Sequence, residues 1–264
     1  MICLSLGAGR QSTTMLFMGL EGAFGPKPDA AIFADTGRES KLTYAHLDWL
    51  EKEVAPFPIH RVTAGNIRDD LLDRDRRFAS IPVFVKHDNG LRSRGKLKRQ
   101  CTSEYKLTPI ARKVRELNGG SRRPVEQWIG ISLDEAHRMK PSRVKYITHR
   151  WPLIEARMTA HDCLRWLKGH GYPEPPRSAC IECPLHGDDY WRDSRENRPD
   201  EFAEACDFDR ALRDGRVRMG KDGLNGVSYL HDSLIPLEEV DLSTPRERGQ
   251  QEMFGNDCTG FCGV

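Results

Sequence analysis

The feature that most constrains this chain is its opening stretch, Ile2-Cys3-Leu4-Ser5-Leu6 followed by Gly7-Ala8-Gly9-Arg10-Gln11-Ser12-Thr13. A short apolar run stops at two glycines, then at two hydroxyls, and a further apolar segment follows. That order predicts a strand, a tight loop and a helix. The glycines let the backbone turn sharply and come close to a ligand. The helix start offers unpaired N–H groups and the positive end of a dipole, which suits phosphate. Arg10 adds a fixed charge with bidentate geometry. The plainer alternative is a strand-to-helix turn with a Ser/Thr cap. The loop is not a Walker A sequence, because no Gly-Lys-Ser/Thr follows at the required spacing. It is not the dinucleotide fingerprint G-x-G-x-x-G either, because Ser12 takes the third glycine position.

The chain then alternates. Asp29 to Ala34 predicts a second buried strand, ending at Asp35-Thr36-Gly37. Ser40 to Val54 has helical spacing, with Leu42, Leu47 and Leu50 near one face, and Pro56 and Pro58 close it. Ile59 to Val62 predicts a third strand, and Asn66 to Asp73 a short helix. A helix over Thr108–Leu117 is expected, with Pro109 in its first turn and Thr108 as its cap. Val125 to Ile131 predicts a further strand, Tyr146-Ile147-Thr148 a small one, and Thr159 to Gly169 a capped helix. Tyr190 to Asp214 is charged and mostly helical in pattern, and the chain is glycine-rich and polar from Gly215 on. The β-α-β-α-β order implies an α/β fold, a mostly parallel sheet flanked by helices, with a helical and irregular C-terminal region. Ligands of such sheets bind beyond the carboxyl ends of the strands, where both the Gly7–Ser12 loop and Asp35-Thr36-Gly37 fall. The expected division is a nucleotide-binding domain over residues 1–186 and a C-terminal extension over 187–264.

Composition narrows the class. With 38% hydrophobic and 30% charged residues and no run of about 18 apolar ones, a membrane span is not expected. No signal peptide is recognised, so a cytoplasmic protein is expected. The net charge of +2 conceals local asymmetry. Lys86 to Arg99 holds six Lys/Arg against one acid, in what reads as an exposed, mobile loop. Arg138 to Arg150 is basic with no acid. Each is either a solvated face or a contact for phosphates of a nucleic acid or nucleotide. Aromatic residues are not interleaved with the first block, so base stacking is not indicated.

The chain has eight cysteines, and with no secretion signal expected they favour metal or redox chemistry over a disulfide framework. Cys180-Ile181-Glu182-Cys183-Pro184 puts two thiols three residues apart, half of a metal site. Cys101 is the best candidate to add to them, and His186 is an alternative. Cys3 and Cys163 are expected in the core, and Cys206 is expected to pack. The tail carries Cys258 and Cys262 among its last residues, as a metal ligand or a mobile thiol.

Taken together, these elements resemble the PP-loop (adenine nucleotide alpha-hydrolase) superfamily, and within it the phosphoadenosine-phosphosulfate reductase-like proteins. The family loop is S-G-G-x-D-S; here Gly9 and Ser12 match, while Gly7, Ala8 and Gln11 replace Ser, Gly and Asp. Asp35-Thr36-Gly37 matches D-T-G. Cys101 through Lys106 and Pro109 resembles C-x-x-x-x-K-x-x-P. Gly130-Ile131-Ser132 through Glu135 and Arg138 resembles G-x-R-x-x-E-S-x-R, with Ser132 for the first Arg. Pro152-Leu153 and Cys180–Pro184 resemble the P-L and C-x-x-C-P elements that follow.

The resemblance implies an adenine nucleotide, either ATP with Mg2+ or an adenylyl-sulfate. Its contacts would be Ser5, Gly7, Gly9, Arg10, Gln11, Ser12, Thr13, Asp35, Thr36, Gly37 and Gly130. Asp35 would serve the metal or the ribose, and Lys106 and Arg138 would neutralise phosphate. Cys101, Cys180 and Cys183 fall where cluster-bearing members ligate iron; Cys262 or Cys258 would be the fourth thiolate of a [4Fe–4S] cluster, or one iron would stay open to bind sulfide. A zinc ion held by four thiolates is the structural alternative. Three functions are implied. The first is an ATP-pyrophosphatase that adenylates a nucleic acid and installs sulfur. The second is a sulfonucleotide reductase with Cys258 or Cys262 as nucleophile. The third is a non-catalytic nucleotide- or nucleic-acid-binding module.

Overall fold

A computed structural model describes residues 1–73, 75, 80–86, 98–214, 226–244 and 247. In chain order the elements are β1 Ile2–Leu6, α1 Arg10–Glu21, β2 Ala30–Asp35, α2 Lys41–Glu53, β3 Ile59–Thr63, α3 Ile67–Leu72 and β4 Phe84–Lys86. There follow α4 Thr108–Leu117, β5 Val125–Ile129, β6 Ile147–Arg150, α5 Pro152–Glu155, α6 Ala160–Gly169, α7 Asp188–Asn197, α8 Pro199–Arg213 and β7 Val227–Tyr229. They form two compact units. One is built from Met1–Ala64 and Glu104–Ser178, the other from Gly65–Ser103 and the described residues from Ala179 on.

The first unit is the α/β fold expected. Its sheet runs β3-β2-β1-β5-β6 with every neighbouring pair parallel. Side chains alternate between the faces, as the two-residue period of a strand requires. Leu4, Leu6, Ala31 and Phe33 join Met15, Leu16, Leu47, Leu50, Trp128 and Leu167 in one buried cluster. Cys3, Ile32 and Ala34 point the other way and pack with Ile110 and Val114 of α4. Helices therefore cover both faces, as an all-parallel sheet needs. Cys3 and Cys163 are fully buried, as expected of core residues. Burial pushes the Cys3 thiol up to about 11 and the Cys163 thiol up to about 12.

Several local expectations need correcting. Leu42 is half exposed, and the buried face of α2 is Thr43, His46, Leu47 and Leu50. Thr108 does not cap α4, because a π-helical run, Thr102–Leu107, leads straight into it. Pro109 has no N–H to return to the preceding turn, so the helix widens there instead of starting there. Thr159 does cap α6, in a reciprocal capping box with Asp162.

In the second unit α7 and α8 take up the charged segment after Tyr190 and are parted at Pro199. β4 and β7, neither of them foreseen, pair antiparallel with Phe84 opposite Tyr229. The buried Asp209 of α8 accepts hydrogen bonds from Leu230 N (2.8 Å) and Leu237 N (3.0 Å), which fixes the chain after β7. Cys206 is buried on α8, in keeping with a packing role. Among the described residues no helix is long and apolar enough to cross a membrane.

Candidate phosphate-binding site

β1 is central to the sheet. The chain adds β2 and β3 on one side, then β5 and β6 on the other. The strand order thus reverses between β1 and β5, the position where open α/β sheets form a ligand crevice. Gly7–Gly9 follows β1 at that point, and Gly130 follows β5.

Ser12 holds the loop from within. Ser12 Oγ accepts hydrogen bonds from Gly7 N (3.1 Å) and Gly9 N (3.3 Å) and donates to Gly9 O (3.2 Å). Ala8, buried between them, has φ +55°. A non-glycine residue in that left-handed region costs about 1–2 kcal/mol, so the surrounding bonds enforce the turn. Ser178 donates to Gly7 O and pins the loop from outside. Gly130 leaves the first turn of α1 uncovered, since a Cβ there would lie 3.1 Å from both Ser12 N and Ser12 Cα. α1 carries no acidic residue of its own in its first turn, which suits an anion at its positive end. Thr13 lies below, fully buried, and shares a 3.2 Å hydrogen bond with His46 Nε2. Burial lowers the His46 pKa to about 4.

The remaining residues named from the sequence fall into three groups. At the end of β2, Asp35 Oδ1 accepts from Gly37 N (2.7 Å) and the Tyr44 hydroxyl (2.8 Å). Burial, then the Asp35 carboxylate, pushes the Tyr44 hydroxyl up and keeps it a donor. Thr36 donates to Glu39 at 3.4 Å, and Lys106 pairs with the same buried Glu39 at 3.2 Å. Beyond β5, Arg138 pairs with Glu135, and Gln11 Nε2 reaches Glu135 (3.4 Å) and Ser132 (3.5 Å). Burial raises the Glu135 carboxyl above its ordinary range, against the opposing pull of Arg138. Arg10 pairs with Glu174 at 2.8 Å on the surface. Ser5 differs from the rest: it sits within β1, and its Oγ accepts from Gln127 Nε2 at 2.7 Å.

The two carboxylates that hold Arg10 and Lys106, and Ser178 on the loop, carried no signal in the sequence. Glu174 and Ser178 lie over 160 residues from their partners along the chain.

The thiols belong to the second unit. Cys180 and Cys183 share one turn, closed by Cys183 N donating to Cys180 O at 3.0 Å. His186 Nε2 lies 2.8 Å from Cys180 O, and its ring stacks on Tyr190 with centroids 3.4 Å apart. That nitrogen is occupied by the carbonyl, so His186 serves the turn. Cys101 is held by its N–H to Ser80 O at 3.3 Å. All three thiols are half-buried. Their chemistry suits a thiophilic metal, but among the described residues no three of His, Cys, Asp and Glu gather into a metal-holding group. Cys258 and Cys262 lie outside the described residues, as do Arg92, Arg94 and Lys96 of the first basic block.

No protein-family model matches this chain, and no curated protein matches it.

Proposed function

We propose that the first unit binds the phosphates of an adenine nucleotide on the Gly7–Ser12 loop, and that the protein uses ATP to activate a nucleic acid for sulfur transfer. The observation that carries the phosphate reading is the loop itself: a turn fixed by Ser12 Oγ, opening α1 at the reversal of strand order, with Gly130 keeping its first turn clear. Asp35 has one carboxylate oxygen bound by Gly37 N and Tyr44, which fixes the group, and its other oxygen would serve a cation or a ribose hydroxyl. Mg2+, when bound there, would screen charge between the phosphates. Lys106 and Arg138, each held in place by a carboxylate, are positioned to neutralise phosphate once nucleotide arrives. The reaction implied by the family resemblance is transfer of AMP to a substrate oxygen with release of pyrophosphate, then displacement of AMP by sulfur.

Cys180 and Cys183, with Cys101 in the same unit, are the residues that would hold an iron–sulfur cluster or zinc. Such a cluster would carry or donate sulfur.

Titration of the anaerobically purified protein with Mg·ATP, followed by a pyrophosphate assay and an absorbance spectrum, tests this. Micromolar binding that is lost in Gly130→Val, together with pyrophosphate release, supports the reading. Full ATP affinity in that variant would remove the loop from the site. A colourless, metal-free protein would remove the cluster.

A further inference from the structure

The five cations of Arg138–Arg150 do not behave alike. Arg138 pairs with Glu135, and Arg150 pairs with Glu126 and Glu155. Lys140, Arg143 and Lys145 are exposed and, among the described residues, take part in no ion pair. Two of them, Arg143 and Lys145, lead into β6, and Arg122 and Arg123 lead into β5. β5 and β6 are parallel neighbours in register, Val125 beside Ile147, so both lead-ins emerge at the same amino edge of the sheet. Neighbouring strands lie about 5 Å apart, which brings the two pairs of cations side by side.

The backbone there is built, not loose. Val125 N donates to Tyr146 O at 2.8 Å, linking the two lead-ins. Asn118 Nδ2 donates to Arg123 O at 2.9 Å, and the Ser121 hydroxyl donates to Asn118 O at 2.6 Å. Gly119 and Gly120, both left-handed (φ +65° and +70°), let α4 turn back so that Arg115 reaches Gly120 O at 3.5 Å. Arg115, Arg122, Arg123, Arg143 and Lys145 are all exposed. No Asp or Glu occurs in residues 117–125 or 136–154. The nearest acids are engaged: Glu116 by Lys113 (2.6 Å), Glu126 by Trp128 Nε1 (2.6 Å) and Arg150, and Asp29 by Ile2 N (2.6 Å).

We infer that this amino edge of the sheet is a docking surface for the phosphate backbone of a nucleic-acid duplex. Four of its five cations are arginines, whose planar forks match phosphate oxygens. No aromatic ring is exposed among them, which favours backbone contact over stacking on single-stranded bases. The inference rests on the proposed function only for the expectation that the polyanion is a nucleic acid. It places the contact at the opposite end of the strands from the Gly7–Ser12 loop.

The test is fluorescence anisotropy with a 25-base-pair DNA duplex across a KCl series, with polyglutamate as a second probe and ATP binding measured in parallel. Arg122→Glu/Arg123→Glu/Lys145→Glu is compared with Lys27→Glu/Lys52→Glu/Lys168→Glu, which changes net charge equally at other exposed sites. The edge variant should lose at least about tenfold in duplex affinity and reduce the log–log salt slope by up to about three, while the control changes less than about threefold. Equal losses in the two variants, or none in the edge variant, would overturn the inference. Polyglutamate binding as tightly as the duplex, with the same loss, would make the partner an acidic protein and overturn it too. If the edge variant melts early, the Arg122→Gln/Arg123→Gln/Lys145→Gln series replaces it. A wild-type chain that binds duplex but not ATP sinks the nucleotide reading alone, and one that binds ATP but not duplex sinks this inference alone.

Discussion

At the carboxyl end of the sheet, each cation named for phosphate binding already has a carboxylate: Arg10 has Glu174, Lys106 has Glu39 and Arg138 has Glu135. At the amino edge of the same sheet, five exposed cations have none among the described residues. The two proposed roles pose different problems. A small, highly charged ligand needs a few groups held at fixed positions, and a carboxylate partner holds a cation still at some cost in attraction. A polyanion needs net positive charge over a wide area and tolerates mobile side chains. An excess of basic residues in sequence therefore says little until the partners are known.

The largest effect concerns the support of the loop. His46 is buried and neutral against Thr13, with its pKa lowered to about 4 from an ordinary 6.5. The unfolded chain takes up the proton first as pH falls. Stability from neutral His46 is therefore full above pH 6.5 and is lost between 6.5 and 4, by about 3 kcal/mol in all. Urea midpoints measured across that range should fall, and His46→Gln should flatten the curve.

Next in size is Ser12→Ala. It strips the shared acceptor from Gly7 N and Gly9 N, which costs about 1–3 kcal/mol. ATP affinity should drop about tenfold or more by calorimetry, while duplex affinity stays put; a parallel loss of both would join the two ends into one site. Glu135→Gln acts the other way. With one negative charge removed beside Arg138 and Gln11, ATP should bind about threefold tighter, on the order of 0.5–1 kcal/mol, with no change toward duplex. Weaker ATP binding would mean that the carboxylate itself serves the nucleotide. The smallest effect is Glu174→Gln. The Arg10–Glu174 pair is half exposed on both sides, so melting should register less than about 0.5 kcal/mol.

Much of this architecture is legible in the residue order. β1 and β2 announce themselves as short apolar runs, β3 and β5 as short segments with apolar residues at or near their ends, and α2, α3 and α6 by Ser40, Asn66 and Thr159 at their starts. β4 and β7 do not, because each is three residues long and is stabilised by a partner about 140 positions away. Leu42 lies on the exposed side of α2 for a related reason. A helical repeat shows which residues share a face, but His46 takes the buried side of α2 because Thr13 of α1 meets it there.

By itself, then, the sequence determined the alternation of strands and helices, the position of the glycine loop at a strand end, and the thiol pair on one turn. These follow from local patterning and short-range stereochemistry. Only the tertiary structure decided which cations are compensated. Ion pairs such as Arg10–Glu174 and Lys106–Glu39 join residues 164 and 67 positions apart. The parallel register of β5 and β6 likewise brings Arg123 beside Lys145. Charge is written in the sequence, but electrostatic potential depends on distance, and distance is a property of the fold.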